Sequence, residues 1–90
     1  MEKLGTIKRL KNQYNAFKKI AYKTGSPIAQ GISIAYLSVL EDTFGMTVEE
    51  KIMEMDKDYI QKKNALDFLK NSYYVEGIKE GIERLKKEYL

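Results

Sequence analysis

SPIAQGISIAYLSVL, residues 26–40, contains the longest apolar stretch of the chain, and no charged side chain falls within it. Two periodicities compete there. Ile32, Ile34 and Tyr36 alternate as a half-buried strand would, whereas Ile28, Ile32, Ala35 and Val39 keep the three-and-four interval of a helix. The opening favours the helix, because Ser26 is a good N-cap and Pro27 suits the first helical position, where its missing N–H would find no partner anyway. At about 100° per residue the apolar groups fill a wide arc, with Ile34 outside it beside Gly31 and Ser38. A helix over residues 27–44 that touches more than one neighbour, at the centre of the fold, is therefore expected. Ile28 to Leu40 is too short to cross a hydrocarbon core, which takes about 20 residues.

Towards the amino terminus, Leu4, Ile7, Leu10, Tyr14, Phe17 and Ala21 recur at spacings of three and four, which predicts a helix over residues 2–23 with one apolar side. Lys8, Arg9, Lys19 and Lys23 fall on its other side, and Thr24-Gly25 ends it. Towards the carboxyl terminus, Gly45 is a helix stop and Thr47-Val48-Glu49-Glu50 a capping box, so a third helix starts at Val48. Val48, Ile52, Met55, Tyr59, Leu66, Leu69 and Tyr73 form one stripe, interrupted by Lys62. Val75, Ile78, Ile82, Leu85 and Tyr89 form another, which on a single straight helix would lie roughly 150° around from the first. One face cannot serve both stripes, so a bend is predicted within residues 70–75, with Ser72 of the Asn71-Ser72 pair as the cap of a fourth helix. The expected fold is all-α: a compact three- or four-helix bundle with helices near 2–23, 27–44, 48–71 and 73–89, and residues 1–90 forming a single helical domain.

Composition supports one core. A chain of 90 residues buries only roughly 60–65% of the surface its unfolded form exposes, while 43% hydrophobic residues remove it from the disordered class. There is no cysteine, hence no disulfide, which fits a reducing compartment. Lys3, Lys8 and Arg9 are followed by Lys11, Asn12, Gln13 and Asn15 rather than an apolar run, so the start does not read as a signal peptide and a cytoplasmic location is expected. The net charge of +3 is unevenly spread: residues 1–24 hold seven Lys/Arg against Glu2, whereas residues 25–58 hold Lys51 and Lys57 against seven acids. Such a division suits an anionic partner unless the two ends face and neutralise each other.

Histidine and cysteine are both absent, which removes the commonest general base, the thiolate nucleophile and the commonest metal ligands. Tyr14 with Lys18, and Tyr59 with Lys63, match the spacing of a reductase pair in which Lys lowers a Tyr pKa, but no glycine-rich turn exists to hold a dinucleotide. Both pairs read as ordinary contacts four residues apart on a helix. Asp56-Lys57-Asp58 lacks the glycine and bidentate Glu of a calcium loop; Glu41, Asp42, Glu49, Glu50 and Glu54 read as solvated faces and first-turn acids. Leu40, Phe44-Gly45-Met46 and Thr47 imitate a helix-turn-helix, yet Glu49 and Glu50 would open its recognition helix against phosphate, so an ordinary corner is expected. No catalytic residue, metal or cofactor is assigned.

The partner-binding face is assigned to Lys8, Arg9, Lys11, Lys18, Lys19 and Lys23, with Tyr22 as the aromatic residue among them that could stack on a base. Gly31 with Ala35, and Gly77 with Gly81, are small pairs four apart that permit close helix approach. That approach is either within the chain, the favoured alternative, or part of a homo-oligomer contact, for which Ile34, Leu37, Gly77 and Gly81 are named. The leading functional expectation is a small non-enzymatic regulator or inhibitor, of the Lys- and Tyr-rich kind often carried by phages and mobile elements, that docks a helical surface onto a protein partner. The alternative is a nucleic-acid-binding protein using the basic first helix. An enzyme built on Tyr, Lys and carboxylates ranks last, because nothing in the sequence prepares a perturbed titratable group.

Overall fold

The structure is a computed structural model and describes residues 4–41, 45–67 and 72–90. Among the described residues, four helices make an all-α bundle: α1 (Leu4–Thr24), α2 (Pro27–Leu40), α3 (Val48–Asp67) and α4 (Ser72–Tyr89). The α1–α2 corner is closed by local chemistry. Gly25 adopts φ 69°, the left-handed conformation that terminates helices, and its N–H reaches the Ala21 carbonyl at 2.8 Å. Ser26 then caps α2, its hydroxyl accepting from the Ala29 N–H at 3.2 Å, with Pro27 opening the helix. The expected capping box is present as well: the Thr47 hydroxyl accepts from the Glu50 N–H at 3.1 Å, while the Glu50 carboxylate accepts from the Thr47 N–H at 3.3 Å.

One boundary differs from expectation. α2 ends at Leu40 rather than residue 44, because Glu41 is already extended (φ −68°, ψ 135°) once the last side chains with a core to enter, Val39 and Leu40, have been placed. Between α3 and α4, residues 68–71 lie outside the described residues, as does any cap preceding Ser72, which is itself the first helical residue of α4. The reversal is nonetheless fixed: Lys86 Nζ lies 3.2 Å from an Asp56 carboxylate oxygen, whereas 30 residues of one straight helix would hold them about 45 Å apart. Tyr73, read as the end of the α3 stripe, instead stands in the first turn of α4 and is 64% exposed. The side chains of Lys62, Leu66 and Leu69 lie outside the described residues.

α2 is the central element and packs against α1, α3 and α4. Its core side chains Ile32, Ala35, Tyr36 and Val39 join Leu10 of α1, Val48 and Ile52 of α3, and Ile82 and Leu85 of α4. The tightest crossing is α2 on α4. A Cβ on Gly77 would collide with the Ile28 carbonyl oxygen, one on Gly31 would lie 2.6 Å from the Ile78 nitrogen, and one on Gly81 would lie 2.6 Å from the Ala35 Cβ. Both small pairs thus face each other within one chain. This corrects the assignment of Gly77 and Gly81 to a homo-oligomer contact: both are buried against α2, so neither presents a surface to a second copy.

α1 and α4 are joined by side chains. Arg9 pairs with Glu88, Gln13 Nε2 donates to Glu88 Oε2 at 2.7 Å, and the Tyr89 hydroxyl donates to Gln13 Oε1 at 2.8 Å. Beside this seam Phe17 stacks on Tyr36, the ring centroids 5.6 Å apart. Burial, followed by the charge of Glu88, pushes the phenols of Tyr36 and Tyr89 above their ordinary value of 10.0, with Arg9 opposing at both and Arg84 also at Tyr36. Because the folded state holds these protons more tightly, their contribution to stability is complete below pH 10 and disappears as pH rises through the folded-state pKa values. The denaturant midpoint should therefore fall as pH climbs above about 10, and less steeply in Tyr36→Phe. Identical alkaline profiles for the two proteins would contradict this.

Candidate functional site

The six cations of α1 are distributed by its helical period. With Ile7, Leu10, Tyr14, Phe17 and Ala21 turned inward, Lys8, Lys19 and Lys23 fall on the outer side together with Asn12 and Asn15. Lys11, Lys18 and Tyr22 follow the flank beside Tyr14, and Arg9 occupies the other flank, where it meets Glu88. The row from Lys8 to Lys23 runs about 22 Å along the helix. All six are exposed, and α1 contains no carboxylate. Among the described residues only Arg9 of the six has an ion-pair partner.

The uneven charge of the sequence persists in the fold. Uncharged α2 packs against both basic α1 and acidic α3, and among the described residues no ion pair joins α1 to α3. Neutralisation of one by the other, the alternative open from sequence, is not what the bundle does. Part of the acid of α3 is instead matched by α4, through Asp56 and Lys86.

Beside the lysine row is a groove of about 330 Å³, with Tyr14, Lys18 and Tyr22 of α1 on one wall and Gln30, Ser33 and Ile34 of α2 on the other. Lys18 Nζ stands 5.6 Å above the centre of the Tyr14 ring, a cation–π contact with the ring face. It is not the approach to the phenol oxygen that a reductase pair needs; in the second such pair, the Lys63 side chain lies outside the described residues. Ser33 is buried and its hydroxyl donates to the Gln30 carbonyl at 2.7 Å. Tyr22 is 92% exposed and contributes nothing to the core.

A second groove of about 230 Å³, between α2 and α3, mixes Lys51 with Glu54 and Asp58 beside Met46 and Met55. Glu49 and Glu50 are exposed at the start of α3, where a recognition helix would approach phosphate. No group of three or more carboxylates among the described residues could hold a metal ion. No helix among them is long and apolar enough to cross a membrane. Ile34 and Leu37, the remaining self-association candidates, are half-buried, Ile34 in the wall of the first groove.

Sequence reasoning named the basic face and Tyr22 but missed the groove, which exists only once α1 and α2 are side by side. Its one signal in the sequence was Ile34, an apolar residue outside the apolar arc of its helix. Compared with known proteins, the chain matches no family model, no curated protein and no solved structure.

Proposed function

We propose that this chain is a non-enzymatic binding protein that grips the phosphate backbone of a nucleic acid with the outer face of α1. The observation that carries the reading is the row Lys8, Lys11, Lys18, Lys19 and Lys23, exposed and without ion-pair partners among the described residues, on a helix with no carboxylate. Cations so arranged displace the counterions condensed on a phosphate backbone, and the interleaved Asn12 and Asn15 add neutral donors of the kind that contact phosphate oxygens. A protein partner, first in the order drawn from sequence, is now the weaker reading. Lys is depleted at the centres of protein interfaces, which are held by buried apolar anchors, and the outer side of α1 carries Lys and Asn instead. Among the described residues no ion pair ties α1 to the acids of α3, which leaves the lysine row available to an anionic ligand.

Fluorescence anisotropy with labelled oligonucleotides at about 0.1 M salt tests this, since the screening length there is about 10 Å. Binding should weaken steeply with salt, each phosphate contact contributing a log–log slope of about 0.7 to 0.9. Lys18→Glu with Lys19→Glu removes two contacts and should flatten the slope by about 1.4 to 1.8 while lowering affinity more than tenfold. Circular dichroism would show the helices of this surface variant intact. Absence of oligonucleotide binding at tens of micromolar protein, or binding indifferent to salt and to the double substitution, overturns the proposal and returns the protein-partner reading to first position.

A further inference from the structure

We infer that the groove between α1 and α2 receives an unstacked base beside the lysine row, so that this chain binds single-stranded nucleic acid in preference to duplex. The inference rests on the proposed function and adds the strand state of the ligand. Tyr22 is the starting point: at 92% exposure its ring faces water, an arrangement that does nothing for the fold. It stands one helical turn from both Lys18 and Lys19, so a backbone held by those ammonium groups brings its bases past the ring. The opposite wall is suited to a base. Ile34 offers an apolar contact, and the exposed Gln30 offers an amide with donors and an acceptor, not engaged in a side-chain hydrogen bond among the described residues. α2 has no charge, and Lys18 is the charged side chain lining the groove, so no carboxylate there repels a phosphate. A duplex keeps its base faces stacked and would have to flip a nucleotide to fill the same space, at the cost of unpairing and unstacking it. A single strand has its faces free.

The test compares the full chain with Tyr22→Ala and Tyr22→Phe on three labelled probes: a single strand of about 16 nucleotides, its duplex, and an abasic strand of equal length. Wild type should bind the single strand more tightly than the duplex. Tyr22→Ala should weaken single-strand binding about 5- to 150-fold, the range of base–aromatic stacking, and Tyr22→Phe should restore it. Duplex and abasic binding, and the salt slope, should not change. Equal wild-type affinity for single strand and duplex overturns the inference, as does a Tyr22→Ala variant that loses affinity equally for all three probes or for none. In those cases loss of binding in the Lys18→Glu, Lys19→Glu protein still upholds the phosphate-binding function; failure of wild type to bind any probe removes both.

Discussion

Gly77→Ala should destabilise this chain by about 2 kcal/mol or more, although the same change inside an unobstructed helix stabilises by about 1 kcal/mol. The sign reverses because of what lies opposite. A Cβ at Gly77 would overlap the Ile28 carbonyl oxygen and stand 2.9 Å from the Ile28 Cα, and backbone, unlike a side chain tip, cannot swing aside. α2 and α4 would have to separate, loosening Ile32, Ala35, Ile82 and Leu85 together. Gly31→Ala meets the same obstacle from the other side, at the Tyr74 oxygen and at 2.8 Å from the Gly77 carbonyl carbon. Gly81→Ala is obstructed as well, since its Cβ would stand 2.6 Å from the Ala35 Cβ, an atom fixed to the backbone, and 3.2 Å from the Ile32 Cα. Gly5→Ala, with nothing within 4 Å, serves as the control and should be neutral or slightly stabilising. The total stability of a domain this size is on the order of 5–13 kcal/mol, so the loss will be plain as a lower denaturant midpoint at constant slope. Equal midpoints for Gly77→Ala and Gly5→Ala would refute the close-packed crossing.

Tyr36→Ala should cost about 3–5 kcal/mol, the range for removing a buried ring and leaving its cavity. Tyr36 is 2% exposed, is among the largest fully buried side chains, and stacks on Phe17 with the rings 10° from parallel. It stands where α1 and α2 meet, so the cavity cannot close without moving a helix. Tyr36→Phe keeps the volume and the stack, and should lose much less. Tyr22→Ala is the internal contrast, within about 0.5 kcal/mol of wild type, because an exposed ring supports nothing. Thermal unfolding followed by circular dichroism separates the three: at about 4–8 °C per kcal/mol, Tyr36→Ala should melt more than 10 °C below the others. A Tyr36→Ala protein that melts with wild type would mean that α2 is not the centre of the core.

What was legible in the sequence was local. Ser26-Pro27, Gly25 and the Thr47–Glu50 box are legible because a cap is made by residues within a few positions of one another, and each occurs where its chemistry demands. The inward sides of α1 and α4 followed from their period alone, down to Leu10, Ile82 and Leu85. The end of α2 was less accessible, since nothing in Glu41-Asp42-Thr43 forbids a helix and the stop depends on where the core runs out. Pairing was harder still. Both small-residue pairs were visible, but that each is the other's partner depends on α4 turning back along α2. That the lysines of α1 meet no ion-pairing acid of α3 among the described residues is likewise a property of which faces meet.

The α2–α4 crossing also sets when this protein can become stable during its synthesis. Gly31 waits for Gly77, 46 residues later, and the nascent chain through α3 holds α2 with one flank bare. The helix at the centre of the native core is therefore the one most exposed to premature association while translation is under way. Ile82 and Leu85 of α4 complete the enclosure, so folding waits until α4 has left the ribosome, and a ribosome stalled before them leaves an apolar surface for chaperones and proteases to find.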